Sequence, residues 1–140
     1  VYSEEKQLNP DKPLMYTRGV ERFDLFVKKI FGTTLTKEMR EKFYARYDFG
    51  DDNMLLLMVM SKEDLILLKS VTERERDFDD ILTIIEREKN IDWDYIINNA
   101  IQQQKLGDSW IIIDLEKTMQ RLREHTLIKK EYFDKLYKNT

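Results

Sequence analysis

The heptapeptide MLLLMVM, residues 54–60, restricts the fold of this chain more than any other stretch. Seven apolar side chains of strand length with no polar break predict a β-strand covered on both faces, although periodicity alone also fits a buried helical segment. Whatever its form, such a run demands cover. Ser61 follows at once, and Asp64 lies three residues further on, a variant of the capping box with Asp in place of Glu. A helix is therefore expected to start near Lys62 and to carry LILLKSVTE.

The remaining elements follow from the same reading. In ERFDLFVKKI, residues 21–30, Phe23, Leu25 and Val27 alternate with Arg22, Asp24 and Phe26, which predicts a strand. Phe31-Gly32-Thr33-Thr34 punctuates it. Thr36 is placed to cap a helix carrying Met39, Phe43 and Tyr47 on one side. Phe49-Gly50-Asp51-Asp52-Asn53 reads as a turn. A second helical pattern begins at about Asp77 with Phe78, Ile81, Leu82 and Ile85, and its join to the preceding helix near residues 74–76 is either continuous or kinked. Asp92 caps a helix with Trp93, Ile96, Ile97, Ala100 and Ile101 at helical spacing, and Gly107 stops it. Asp108 or Ser109 then caps a helix bearing Trp110, Ile111, Leu115, Met119 and Leu122. A last helix runs through Tyr132, Phe133 and Leu136. Trp93 and Trp110 are expected as core anchors. The whole reads as one α+β domain over residues 1–140. It has a loop-like lead-in at 1–20, a strand–helix–strand part at 21–60 and a mainly helical part at 61–140.

Composition excludes several kinds of chemistry. With 140 residues, 41% of them hydrophobic, the chain is long enough to bury a core, and its 36% charged residues do not make it disordered. It has no cysteine, hence no disulfide, thiolate metal site or cysteine nucleophile, and this fits a reducing cytoplasm. A single histidine, His125, excludes multi-histidine zinc sites; near a helix end it reads as a C-terminal cap or a solvent-facing residue. No apolar run approaches the ~20 residues of a membrane span, so no membrane partner is expected. A net charge of −3 does not indicate nucleic acid as a partner.

Two places could carry chemistry. Asp24 interrupts an apolar strand, where a carboxylate is costly unless exposed, paired or bound to a metal; the plain reading is a solvent-facing residue paired with Arg22 or a lysine. The other is LILLKSVTERERDFDDI, residues 65–81. Lys69 sits in an apolar helix, its stem packed and its amine reaching outward. Arg74, Arg76, Asp77 and Asp80 follow closely. Arg76 and Asp80 can pair at i, i+4 as a plain helix-supporting ion pair. Alternatively, the cations face a phosphate and the acids hold them in place.

The string MLLLMVMSKEDLILLKSVTERERDFDDILTII resembles the C-terminal motif of the nucleotidyltransferase-like superfamily. There an apolar strand runs into S-x-E-D-L, a helix with lysine, and R-D-x-x-D. RFDLF is similar to the preceding core strand of that family, and NIDWDYIINNAIQQQ to its DW-x-x-I helix. The likeness extends to uncharacterised archaeal proteins of this fold and, more distantly, to abortive-infection and antitoxin-type nucleotidyltransferases. It implies a small mixed sheet and metal-dependent transfer of a nucleotide from a nucleoside triphosphate to a hydroxyl acceptor. Asp24 would be a catalytic carboxylate and Mg²⁺ ligand, Lys69, Arg74 and Arg76 would bind the nucleotide, and Asp77 and Asp80 would orient them.

The family's principal motif, a Gly-Ser or Gly-Gly turn followed by Asp-x-Asp, is not found after Gly19, Gly32, Gly50 or Gly107. Two expectations result. Either the chain is the C-terminal part of a longer transferase whose upstream strands carry that motif, or it is a catalytically inactive interaction module. In the second case it serves in a homodimer or a toxin–antitoxin pair.

Overall fold

The computed structural model describes residues 13–51 and 55–140. It is α+β with a helical C-terminal half, as the residue patterns predict. Among the described residues, however, the strands form three separate antiparallel pairs where the family resemblance implied one mixed sheet.

β1 (Leu14–Arg18) pairs with β2 (Glu21–Leu25) through a turn at Gly19 and Val20, with Arg18 opposite Glu21 and Leu14 opposite Leu25. Gly19 has φ 61°, a conformation that costs glycine nothing. β1 lies in what the sequence presents as lead-in loop; the part of that lead-in before residue 13 is outside the described residues. The strand expected over 21–30 stops at Leu25. β3 (Lys29–Ile30) and β4 (Thr33–Thr34) then make a miniature hairpin around Phe31 and Gly32. Both turn residues have positive φ, 53° and 91°, the backbone a two-residue primed turn needs.

Thr36 caps α1 (Lys37–Glu41), its hydroxyl accepting from the Met39 amide at 3.3 Å. The helix ends there. Phe43 and Tyr47, expected on its continuation, belong instead to β5 (Phe43–Phe49), which pairs with β6 (Leu55–Met60). The segment FYARYDF is dense in aromatic residues, which favour strands, and pairing with LLLMVM wins over the helical spacing. The turn between them lies partly outside the described residues.

Ser61 then caps α2 (Lys62–Ser70), accepting from the Asp64 amide at 3.2 Å and donating to Asp64 Oδ2 at 2.9 Å. The join to α3 (Glu75–Arg87) is a true break, with Glu73 at φ 53°. Asp92 caps α4 (Trp93–Lys105) through the Tyr95 amide at 2.9 Å, and Gly107, φ 112°, follows its end. α5 (Ile111–Leu122) has no side-chain cap, neither Asp108 nor Ser109 taking that role, and α6 (Lys130–Tyr137) closes the chain.

The core is helical. Ile66, Leu67, Ile96, Ile97, Ile111, Leu115, Met119, Leu122 and Leu136 are buried, with Trp93 and Phe133 beside them. Trp110 is not an anchor: it precedes the first turn of α5 and is 68% exposed. Among the described residues no helix is long and apolar enough to cross a membrane.

Candidate functional site

The charged segment after α2 folds into an elbow in which its charges meet one another. A left-handed residue at Glu73 turns the chain so that α3 packs back beside α2, which brings Asp77 and Asp80 over the end of the Lys69 side chain. Lys69 Nζ donates to Asp77 Oδ1 at 2.9 Å and to Asp80 Oδ2 at 2.7 Å. The Thr72 hydroxyl donates to Asp77 Oδ2 at 2.6 Å. Arg74 lies 3.8 Å from Asp77, with its guanidinium over the Phe31 ring. α5 completes the set: Lys117 binds Glu73 at 3.0 Å, and Arg121 binds Glu75 at 2.8 Å while covering the face of Phe78.

The ionisation of the elbow follows from this geometry. The Thr72 hydrogen bond, reinforced by Lys69, holds the Asp77 carboxyl below its usual range against the opposing effect of burial. Burial works against the Lys69 ammonium, but the hydrogen bonds to Asp80 and Asp77 outweigh it and raise its pKa. Lys69 is thus a cation already neutralised by two carboxylates. A phosphate would have to displace both. Its amine does not reach outward as its sequence context predicts; it turns back onto α3. The i, i+4 pair between Arg76 and Asp80 does not form, because Asp80 is taken by Lys69; Arg76 is exposed and has no ion-pair partner among the described residues.

Asp24 is elsewhere. On the exposed β2 ribbon it receives a two-pronged contact from Arg22, Nε to Oδ1 at 3.0 Å and Nη2 to Oδ2 at 3.2 Å, which is the plain reading of the sequence. No hydrogen bond or ion pair joins it to Lys69, Arg74, Arg76, Asp77 or Asp80. Among the described residues no three acidic or histidine side chains converge as a metal ligand set. One carboxylate already occupied by a guanidinium does not fit Mg²⁺, which takes near-octahedral oxygen ligands. His125 is exposed in the turn after α5, where its backbone amide closes on Leu122 and its ring meets the edge of Phe78.

Sequence reasoning missed a buried polar spine. Asp64, read only as a capping partner, is fully buried. Its Oδ1 accepts from Tyr95 at 2.9 Å and from Asn99 at 2.8 Å, and its Oδ2 from Ser61. Gln103, also buried, pairs with the backbone of Thr34 in both directions, at 2.8 and 2.7 Å, so α4 holds β4 as a neighbouring strand would. Desolvation raises the Asp64 pKa against those hydrogen bonds, and burial beside that carboxylate raises the Tyr95 phenol as well. The signal was legible: Tyr95, Asn99 and Gln103 recur every four residues, a polar stripe beside the apolar residues Trp93, Ile96, Ile97 and Ala100 that the helix buries. Asp64, Asn99 and Gln103 are buried and Tyr95 is half-buried, and the spine joins α4 to α2 and to β4.

A cleft of about 500 Å³ between the end of α3, the start of α4 and the α5–α6 connection is lined by Ile85, Trp93, Leu127, Tyr132, Lys89 and Lys129. It contains none of the sequence-predicted site residues.

The second missed feature is the β5–β6 ribbon. Residues 55–59 are all exposed, from 57% at Leu55 to 39% at Val59, and Phe43, Tyr44, Tyr47 and Phe49 on β5 are exposed too. The strand expected to be covered on both faces has exposed apolar residues on both. Comparison of the chain with protein-family models, with curated proteins and with solved structures finds no match.

Proposed function

We propose that this chain is a protein-interaction module whose working surface is the β5–β6 ribbon, carried on a helical scaffold. The observation that supports this reading is the run of five consecutive exposed apolar residues, 55–59, opposite a strand with four exposed aromatic rings. Soluble monomers rarely expose a contiguous apolar patch beyond a few hundred Å², and larger ones mark sites of contact. The elbow supports the same reading from the other side. Its lysine is bound by two carboxylates, and the one carboxylate expected to bind metal is bound by arginine. As placed, these groups hold structure together and leave no open cation–carboxylate pair for a nucleotide.

Two experiments test it. Dilute protein should bind an apolar dye such as anilinonaphthalene sulfonate, and Leu57→Lys should remove most of that signal without altering far-ultraviolet circular dichroism or thermal unfolding. An unchanged signal would sink the proposal. The transferase reading makes a separate demand, saturable Mg²⁺-dependent ATP binding that is lost in Lys69→Ala and Arg76→Ala. Such binding would replace the interaction reading with nucleotidyl transfer by a longer chain.

A further inference from the structure

We propose that the partner of the β5–β6 ribbon is a second copy of this chain, joined antiparallel across a two-fold axis through the edge of β6 that has no partner strand among the described residues. This rests on the ribbon being an interaction surface, and it adds the partner and the geometry. The first argument is completeness. A lone two-stranded hairpin is marginal in water, whereas three or more strands are self-supporting. Edge pairing of two ribbons gives a four-stranded sheet in the order β5, β6, β6, β5.

The second argument is the contrast among the edges. Natural sheets blunt free edges with charges, proline or bulges. The β1–β2 ribbon carries Arg18, Glu21, Arg22 and Asp24 along its strands. β5 carries the Arg46–Asp48 ion pair and a register irregularity between Phe43 and Ala45. β6 has none of these devices: LLLMVM has no charge, no proline, no glycine and a regular register from Leu55 to Val59. Antiparallel pairing of this strand with itself sets apolar side chains opposite apolar side chains at every position and brings no like charges together. An isologous contact requires that self-complementarity.

The third argument is the backbone. Among the described residues β6 pairs with β5 alone, and strand pairing supplies the hydrogen bonds that its other edge lacks there.

Because the chain has no cysteine, a single introduced thiol reports the geometry cleanly. Cysteines placed singly at Leu55, Leu56, Leu57, Met58 and Val59 are oxidised with copper phenanthroline, alongside sedimentation of the unmodified chain over a concentration series. The expected result is a monomer–dimer equilibrium. Covalent dimer yield should peak at one position near the middle of the strand, where the two-fold axis sets a residue opposite its own copy within disulfide reach. Leu57→Lys should weaken the dimer at least tenfold while the thermal unfolding of the helices stays unchanged.

A chain that sediments as a monomer at all concentrations, yet binds the apolar dye, overturns the second copy and leaves the ribbon to a different protein. A dimer with flat or absent cross-linking along β6 overturns the edge geometry. Absence of dye binding in dilute monomer overturns the interaction reading itself.

Discussion

Two apolar runs lie six residues apart in this chain and meet opposite fates. In LILL of α2, Ile66, Leu67 and Leu68 are buried in the helical core; in LLLMV of β6, every residue is exposed. Composition does not separate them. What does is geometry: α2 presents one side to α3, α4 and α5, which arrive within the next 60 or so residues and close over it. Among the described residues β6 pairs with β5 alone and is touched otherwise by the short α1, and a ribbon has two faces. An apolar run states that cover is required. It does not state that the same chain provides it.

The largest expected effect tests that contrast directly. Ile97→Ala, at a fully buried site in α4, should cost about 2–5 kcal/mol through lost burial and the cavity left behind. Leu57→Ala in β6 should shift the stability of dilute monomer by no more than about 0.5 kcal/mol. Chemical denaturation of both variants checks this. Comparable losses would mean that the ribbon packs on the helices, and the contrast would collapse.

A smaller loss is expected at the joint between the two halves. Gln103→Ala removes both hydrogen bonds to the Thr34 backbone, leaving a half-buried amide and carbonyl without that partner at a cost of about 1 kcal/mol. Its mark should be regional: hydrogen exchange speeds up at β3 and β4, while the amides of α5 and α6 stay protected.

These contrasts bear on how far the fold was legible. Helices were readable where a cap and an apolar stripe agreed, as at Ser61 and Asp92, because those signals are local. The segment from Phe43 to Phe49 was not, because its spacing fits a helix and only pairing with the separate strand Leu55–Met60 makes it a strand. Trp110 misled for a related reason: it stands just before the first turn of α5, outside the periodic stripe it was counted with. At the candidate site, the pairing of Asp24 with Arg22 was readable from two positions on one strand face. The capture of Lys69 by Asp77 and Asp80 was not, because it depends on a left-handed break at Glu73 that nothing in Thr-Glu-Arg announces.

That break gives the next prediction. Asp77→Asn should cost about 1–2 kcal/mol near neutral pH, since it weakens charge-assisted hydrogen bonds from Lys69 and Thr72. Asp77 has a folded pKa below its ordinary value of 3.8. The stability it contributes is therefore present above 3.8 and lost as the pH falls through the lower folded value. Melting temperatures of wild type and variant should differ at neutral pH and converge in acid, once the pH has fallen below the lowered folded pKa. Lys69 has the opposite sense: its folded pKa is raised above 10.5, so its contribution holds below that value and fades only as the pH climbs past the folded pKa. A gap that persists in strong acid would mean that Asp77 acts by shape and not by charge.

The smallest effect is expected at Arg76, and its size is the point. Arg76 is exposed on the first turn of α3 and has no ion-pair partner among the described residues, while Arg74, Asp77 and Asp80 beside it are all engaged. Arg76→Ala should change stability by only a few tenths of a kcal/mol. If the elbow is structural, the neutral substitution there and the costly one at Asp77 should both leave ATP binding absent, with or without Mg²⁺. If the elbow is a nucleotide site, Arg76 is the cation of its sequence motif that has no ion-pair partner among the described residues, and removing it should weaken ATP binding severalfold with the fold intact. Calorimetry on wild type and Arg76→Ala separates the two outcomes, because a residue with no ion pair among the described residues should matter to ATP binding only by touching the nucleotide.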